Sequence, residues 1–186
     1  MIIGTIVPNN YFMPFESVKC FFQVATKFEI IVVQGPYIYD NRNQLFKIAK
    51  KRNESILMID SDILFKQEDV EKIERHLEKY DIITGVYVLG VPPYPPAILK
   101  RINGDYEFCE PPKELSEIDA SGGGFLGISK RVMLENPFND VWEGKVKHGE
   151  DISFCHRARE RGYKVWCDPE IKVGQIRIAS LYPGMV

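Results

Sequence analysis

Apolar residues in this chain fall into short β-branched runs, separated by stretches where they recur at helical spacing. Ile2 to Val7 reads as a buried strand closed by Pro8-Asn9-Asn10. Phe15 to Lys27 carries Val18, Phe21, Phe22 and Ala25 at helical spacing, behind Pro14 in a first-turn position. Glu29 to Gln34 is a second strand-like run, ended by Gly35-Pro36. A helix follows over Asn41 to Arg52, with Leu45, Ile48 and Ala49 on one face. Ser55 to Ile59 predicts a third strand, Gln67 to Tyr80 a charged amphipathic helix, and Asp81 to Val86 a fourth strand. Strands alternating with helices predict parallel βαβ units.

The second half has a different texture. Val91-Pro92-Pro93-Tyr94-Pro95-Pro96 cannot be helix or central strand, because proline removes donors and restrains its neighbours. Ala97 to Ile102 and Tyr106 to Cys109 flank Asn103-Gly104-Asp105, a hairpin signal. Then come an apolar strand through Gly122 to Ile128, a short helix from Lys130, and a helix from Asp151 to Arg161 with Gly162 at its C-cap. The expected fold is α/β: one Rossmann-like domain over residues 1–186, with a mixed, mostly parallel central sheet and helices on both faces.

Composition narrows the function. The 186 residues are 45% hydrophobic, enough for one sizeable core. With 24 Lys+Arg against 26 Asp+Glu, the chain has no basic excess to recommend nucleic acid as a partner. Cys20, Cys109, Cys155 and Cys167 are scattered without zinc or redox spacing, and Cys20 and Cys155 fall at expected core positions. No apolar run approaches the ~18 residues of a membrane span, and Met1 to Val7 does not resemble a signal peptide. The expectation is a cytoplasmic protein without a membrane span.

Three motifs carry chemistry. Asp60-Ser61-Asp62 directly follows the strand Ile56-Leu57-Met58-Ile59. Positions two apart in extended chain point the same way, so both carboxylates can face one site at the sheet's C-terminal edge. Hard oxygen ligands there suit Mg²⁺ or Mn²⁺, although a turn cap and a solvated carboxylate are the plainer alternative. Gly149-Glu150-Asp151 opens a helix, where acidic residues serve the helix dipole or act as a general base. Ser121-Gly122-Gly123-Gly124-Phe125 lets backbone approach a ligand, or marks a bulge.

In their order along the chain these motifs resemble the inverting-type GT-A glycosyltransferases, from about Met1 to Ile176. Arg42-Asn43 on a helix is followed by "ILMIDSDILF", "DIITGVY", "DASGGGFLGISK" and "GEDISFCHRARERGYKVWCDPEIKVGQI". The resemblance implies a nucleotide-diphosphate sugar donor, a glycan, protein or lipid acceptor, and a divalent cation (Mn²⁺ or Mg²⁺). It implies that residues 1–90 bind the donor and 91–186 the acceptor. Asp62 would bind the metal, with Asp60 on the metal or the ribose. Pro8, Asn9, Arg42 and Asn43 would line the nucleotide, and Gly123 and Gly124 would pass the donor sugar. Asp151 would be the catalytic base, with Glu150 holding the acceptor. Where many relatives end the last strand in glycine-histidine and so complete the metal site, this chain has Gly174-Gln175. His76 and His156 read as helix surface or packing residues, and His148 as an acceptor contact. Pro92 to Pro96 and Phe138 to His148, with Trp142, are expected acceptor-side walls. Two other readings stay open: an aspartate-nucleophile phosphohydrolase, and an inactive glycan- or nucleotide-binding module on the same fold.

Overall fold

A computed structural model describes residues 1–9, 12–90, 92–132, 134–135, 137–139, 141–143 and 146–177 of the chain. Side chains of 141–143, 146 and 147 lie outside that description, as do Asn10 and Val91. Along the chain run Ile2–Pro8 (β1), Phe15–Val24 (α1), Ile30–Gly35 (β2), Ile38–Arg52 (α2), Ile56–Asp60 (β3) and Ile63–Leu64 (β4). Gln67–His76 (α3), Ile82–Val86 (β5), Ile98–Ile102 (β6), Asp105–Phe108 (β7), Ser116–Ile118 (β8) and Ala120–Ser121 (β9) follow. The last elements are Phe125–Ile128 (β10), Val141–Glu143 (β11), Val146–His148 (β12), Glu150–Glu160 (α4), Val165–Lys172 (β13) and Gly174–Gln175 (β14).

Seven strands form the central sheet in the order β2-β1-β3-β10-β5-β13-β8. β1, β2, β3, β5 and β13 run one way, while β10 is antiparallel to β3 and β5, and β8 to β13. The expected mixed, mostly parallel sheet is therefore the observed one. Alternation along each strand divides the core between the two faces. Ile2, Ile6, Met58, Ile82 and Leu126 pack with Leu45 and Phe46 of α2 and Phe154 and Ala158 of α4. Ile3, Leu57, Ile59, Ile83 and Phe125 pack with Phe21 and Val24 of α1 and Val70 and Ile73 of α3. Pro169 lies inside β13, where it cannot donate to a ladder, and the register with β5 shifts between Cys167 and Lys172.

Several boundaries differ from expectation, each for a local reason. α1 ends at Val24 and α3 at His76, since Lys27 and Lys79 close tight turns onto Val24 and His76 that redirect the chain into the next strand. α2 begins at Ile38, which places Arg42 and Asn43 in its second turn. The short helix expected from Lys130 is instead a turn. There the Ser129 N–H donates to Asp81 O (2.8 Å) and the Lys130 N–H to Ser55 Oγ (3.1 Å), so the donors serve tertiary partners. The hairpin is as expected, with Asn103 (φ 53°) and Gly104 (φ 97°) as its two-residue primed turn. Gly162 (φ 86°) follows α4 as the left-handed residue that closes it. All four cysteines are free: Cys155 and Cys167 are buried, and Cys20 is only half-buried on α1.

One glycine of β5 is fixed by packing. A Cβ on Gly85 would sit 2.5 Å from Ile171 Cγ2 and 2.7 Å from the Ile171 carbonyl oxygen. Gly85→Ala should therefore lower stability to urea by about 1–3 kcal/mol, the usual range for overpacking. Gly174→Ala, whose Cβ would meet Leu64 no closer than 3.4 Å, is expected to stay within about 0.5 kcal/mol of wild type.

Candidate functional site

The connection after β1 leads to β2 on one side and the connection after β3 leads toward β5 on the other, so the carboxyl ends of β1 and β3 flank a topological switch point. Open α/β sheets bind ligands in that crevice. Asp60 ends β3 in register with Ile6 of β1. By strand alternation it faces the side of the sheet covered by α2 and α4.

Arg42 of α2 meets it there. Arg42 is 4% exposed, and both terminal nitrogens of its guanidinium find acceptors. Nη2 donates to Asp60 Oδ1 (3.0 Å) and Oδ2 (3.2 Å), and Nη1 donates to the Gly123 carbonyl (2.6 Å). Nε lies 3.4 Å from Glu150 Oε1, an ion pair without hydrogen-bond alignment. Burial works against the charge, but Asp60, Glu150 and Asp151 outweigh it and hold the Arg42 pKa above its ordinary value. The acids carry the converse strain. Burial raises the pKa of Asp60 despite Arg42, and burial with Asp151 alongside raises that of Glu150.

α4 brings Glu150 and Asp151 to this point through its first turn. Asp151 Oδ2 accepts from the Gly123 N–H (2.9 Å) and Oδ1 from the Ile152 N–H (2.8 Å), fixing the carboxylate against the glycine segment. Protein side chains account for the glycines. A Cβ on Gly123 would fall 1.8 Å from Arg42 Nη1, and one on Gly122 or Gly124 would strike Tyr87 Oη at 2.3 or 2.9 Å. Tyr87, buried, accepts from the Gly124 N–H (2.9 Å), and burial followed by the charges of Asp60 and Asp151 raises its pKa. Tyr87 closes the "DIITGVY" run just after β5, where no local signal marks it as a site residue.

Asp62 lies apart from this cluster, against the C-terminal segment. β14 pairs with β4, and the Ile176 N–H donates to the Asp62 carbonyl (2.8 Å). Gln175 Nε2 donates to Asp62 Oδ2 (3.1 Å), and Arg177 Nη1 donates to the same oxygen (3.2 Å). The register placing Gln175 beside Asp62 is thus present. Arg177 was missed because it falls one residue beyond the stretch that carries the resemblance. Among the described residues, no group of three or more His, Cys, Asp or Glu side chains is placed to hold a metal.

The remaining expected positions scatter. Pro8 and Asn9 end β1 against Gly35, where the Asn9 N–H donates to Gly35 O (3.2 Å). Asn43 spends its amide on the backbone of Phe138, donating to the carbonyl (2.9 Å) and accepting from the N–H (3.1 Å). His76 pairs with Asp168 Oδ2 (2.8 Å), His156 Nδ1 lies 3.0 Å from Tyr106 Oη, and buried His148 stands edge-on to Tyr106. The side chain of Trp142 lies outside the described residues. A cavity of about 700 Å³ runs beside α2 between Gly35, Asn43 and Pro137, but none of Asp60, Asp62, Glu150 and Asp151 lines it. The convergence of charged groups, rather than that cavity, marks the site.

No family model and no curated protein matches this sequence. Solved structures do. The chain is similar to the crystal structure of A197 from STIV, with a TM-score of 0.66 and 14% identity, over 99% of this chain and 100% of that one. It is also similar to the crystal structure of GalNAc-T7 with UDP, GalNAc and Mn²⁺, with a TM-score of 0.53 and 10% identity. That match covers 92% of this chain and 37% of the other. These likenesses show the fold, which is GT-A-like. No helix among the described residues is long and apolar enough to cross a membrane.

Arg42 joins α2, β3, the glycine segment and α4, and its removal leaves the half-buried carboxylates of Asp60 and Glu150 without their cation. Arg42→Met is expected to lower unfolding free energy by about 3–5 kcal/mol in denaturant titration, the range for breaking a buried ion pair from one side. Arg42→Lys should recover only part of the loss, because an ammonium cannot serve Asp60 and Gly123 with one planar fork.

Proposed function

We propose that this protein transfers a sugar from a nucleotide-diphosphate donor to an acceptor hydroxyl of a glycan, protein or lipid, with inversion. The observation that carries the proposal is the gathering of the β3 carboxylate Asp60, the α4 pair Glu150-Asp151 and the Gly122–Gly124 segment at the switch point of a GT-A-like sheet. In this reading residues 1–90 hold the donor and residues 91–186 the acceptor.

The residues present fit a divalent cation, Mn²⁺ or Mg²⁺. Gln175 Oε1 is buried with no hydrogen-bond partner, an unsatisfied acceptor beside the carboxylate of Asp62. Asp62 and Gln175 would hold the ion through hard oxygens, while Asp60 is committed to Arg42. When bound, the cation would supply Lewis-acid stabilisation of the leaving diphosphate. Asp151 accepts the proton of the acceptor hydroxyl as that oxygen bonds to the anomeric carbon. The bond from that carbon to the diphosphate oxygen breaks, and its electron pair leaves with the nucleotide. The two backbone N–H donors on Asp151 hold the carboxylate in one orientation, as an in-line displacement requires. The raised pKa of Glu150 supports a second assignment, in which Glu150 takes the proton and Asp151 serves as the clamp.

Titration calorimetry with a nucleoside diphosphate panel and Mn²⁺ tests the donor half. Binding is expected in wild type and lost in Asp62→Ala with the fold intact; unchanged affinity in that variant removes Asp62 from the cation. Steady-state transfer by Asp151→Asn and Glu150→Gln tests the acceptor half. The variant lacking the base should lose about 10²–10⁴-fold in kcat while still binding donor. Phosphate release from a generic phosphoester without sugar transfer would return the reading to a phosphohydrolase.

A further inference from the structure

Among the described residues Arg177 forms an ion pair with Asp62, and the chain around it is built to keep it there. β14 is held to β4, the Ile176 N–H is anchored on the Asp62 carbonyl, and Arg177 Nη1 reaches Asp62 Oδ2 at 3.2 Å. Its stem crosses Gly90: a Cβ on that glycine would stand 1.3 Å from Arg177 Nε and 2.2 Å from its Cδ. Gly90 has no positive φ to demand glycine, so the missing side chain serves the passage of the arginine. The side chain is 48% exposed, free to leave without unpacking a core.

Both partners of Asp62 use the same oxygen. Gln175 Nε2 and Arg177 Nη1 donate to Oδ2, so an ion bound at that oxygen requires the Gln175 amide to turn its unsatisfied Oε1 inward and the Arg177 guanidinium to leave. A guanidinium and a divalent cation cannot share it without repulsion. An arginine freed from a carboxylate at the mouth of a diphosphate site has a natural second partner, because its fork matches phosphate oxygens.

Resting on the sugar-transfer reading, we propose that Arg177 and a divalent cation are alternative counter-ions of Asp62. In this exchange the arginine displaced from Asp62 moves to the donor's diphosphate. Arg177 is then a positioning residue that couples entry of the cation to capture of the anion.

Two variants separate the proposal from a structural role. Arg177→Gln removes the guanidinium. Gly90→Ala keeps it but pushes it off Asp62. Titrated with Mn²⁺ alone and followed by the paramagnetic resonance signal of the free ion, both should bind Mn²⁺ about two- to fivefold more tightly than wild type, the worth of an exposed ion pair. With inorganic pyrophosphate added at saturating Mn²⁺, the two should part. Arg177→Gln is expected to lose about fivefold or more in pyrophosphate affinity, while Gly90→Ala matches or exceeds wild type. Wild-type Mn²⁺ affinity in both variants overturns the competition, and unchanged pyrophosphate affinity in Arg177→Gln overturns the transfer. Failure of the underlying reading looks different: Mn²⁺ then binds none of the proteins, with or without pyrophosphate, and the proposal falls with it.

Discussion

The guanidinium of Arg42 is the interaction on which the site's shape depends. A single buried cation receives Asp60 from the end of β3, the carbonyl of Gly123 and, at longer range, Glu150 from the first turn of α4. Take it away and three carboxylates, counting Asp151, face one another at a partly desolvated sheet edge. Burial already raises the pKa values of Asp60 and Glu150, and the neighbouring carboxylates add to the rise. Such a cluster adds little net stability, because desolvation opposes the attraction. What it contributes is position. The N-terminus of α4 cannot drift from β3 without unpairing buried charge.

The same arrangement explains the glycines. They read in sequence as room for a ligand or as a bulge. In the structure, however, their missing side chains are claimed first by Arg42 and the hydroxyl of Tyr87. A glycine run says only that something must come close. It does not say what.

That limit marks how much was legible. β1, β2, β3 and β5 and the hairpin turn at Asn103-Gly104 were readable because burial and turn sterics act locally and leave a period or a dipeptide behind. The placement of Asp60 at a strand's end followed from the apolar run before it. Asn43 could not be placed from its neighbours in sequence, since both its partners come from the Phe138 backbone far along the chain. The turn at Lys130 was misread as a helix because its donors go to Ser55 and Asp81, contacts with no local signature. Arg177 is the same kind of case: its meaning depends on Gly90 and Asp62, which only the fold brings beside it.

Electrostatics then order the events at the proposed site. Asp60, Asp62, Glu150 and Asp151 face two guanidiniums, Arg42 and Arg177, so the region is negative overall. A diphosphate is repelled from such a surface unless positive charge arrives before it or with it. Helix N-termini often supply that charge to phosphates, but the first turn of α4 is already occupied by its own carboxylates, and Asp151 takes the Ile152 N–H. Arg42 cannot supply it either, being buried with its fork committed. What remains is the exposed rim beside Asp62, where a half-exposed arginine and an unsatisfied glutamine oxygen stand next to one carboxylate. On the proposed reading, charge for an incoming anion would enter there, on the side of the site that departs from the glycine-histidine pattern.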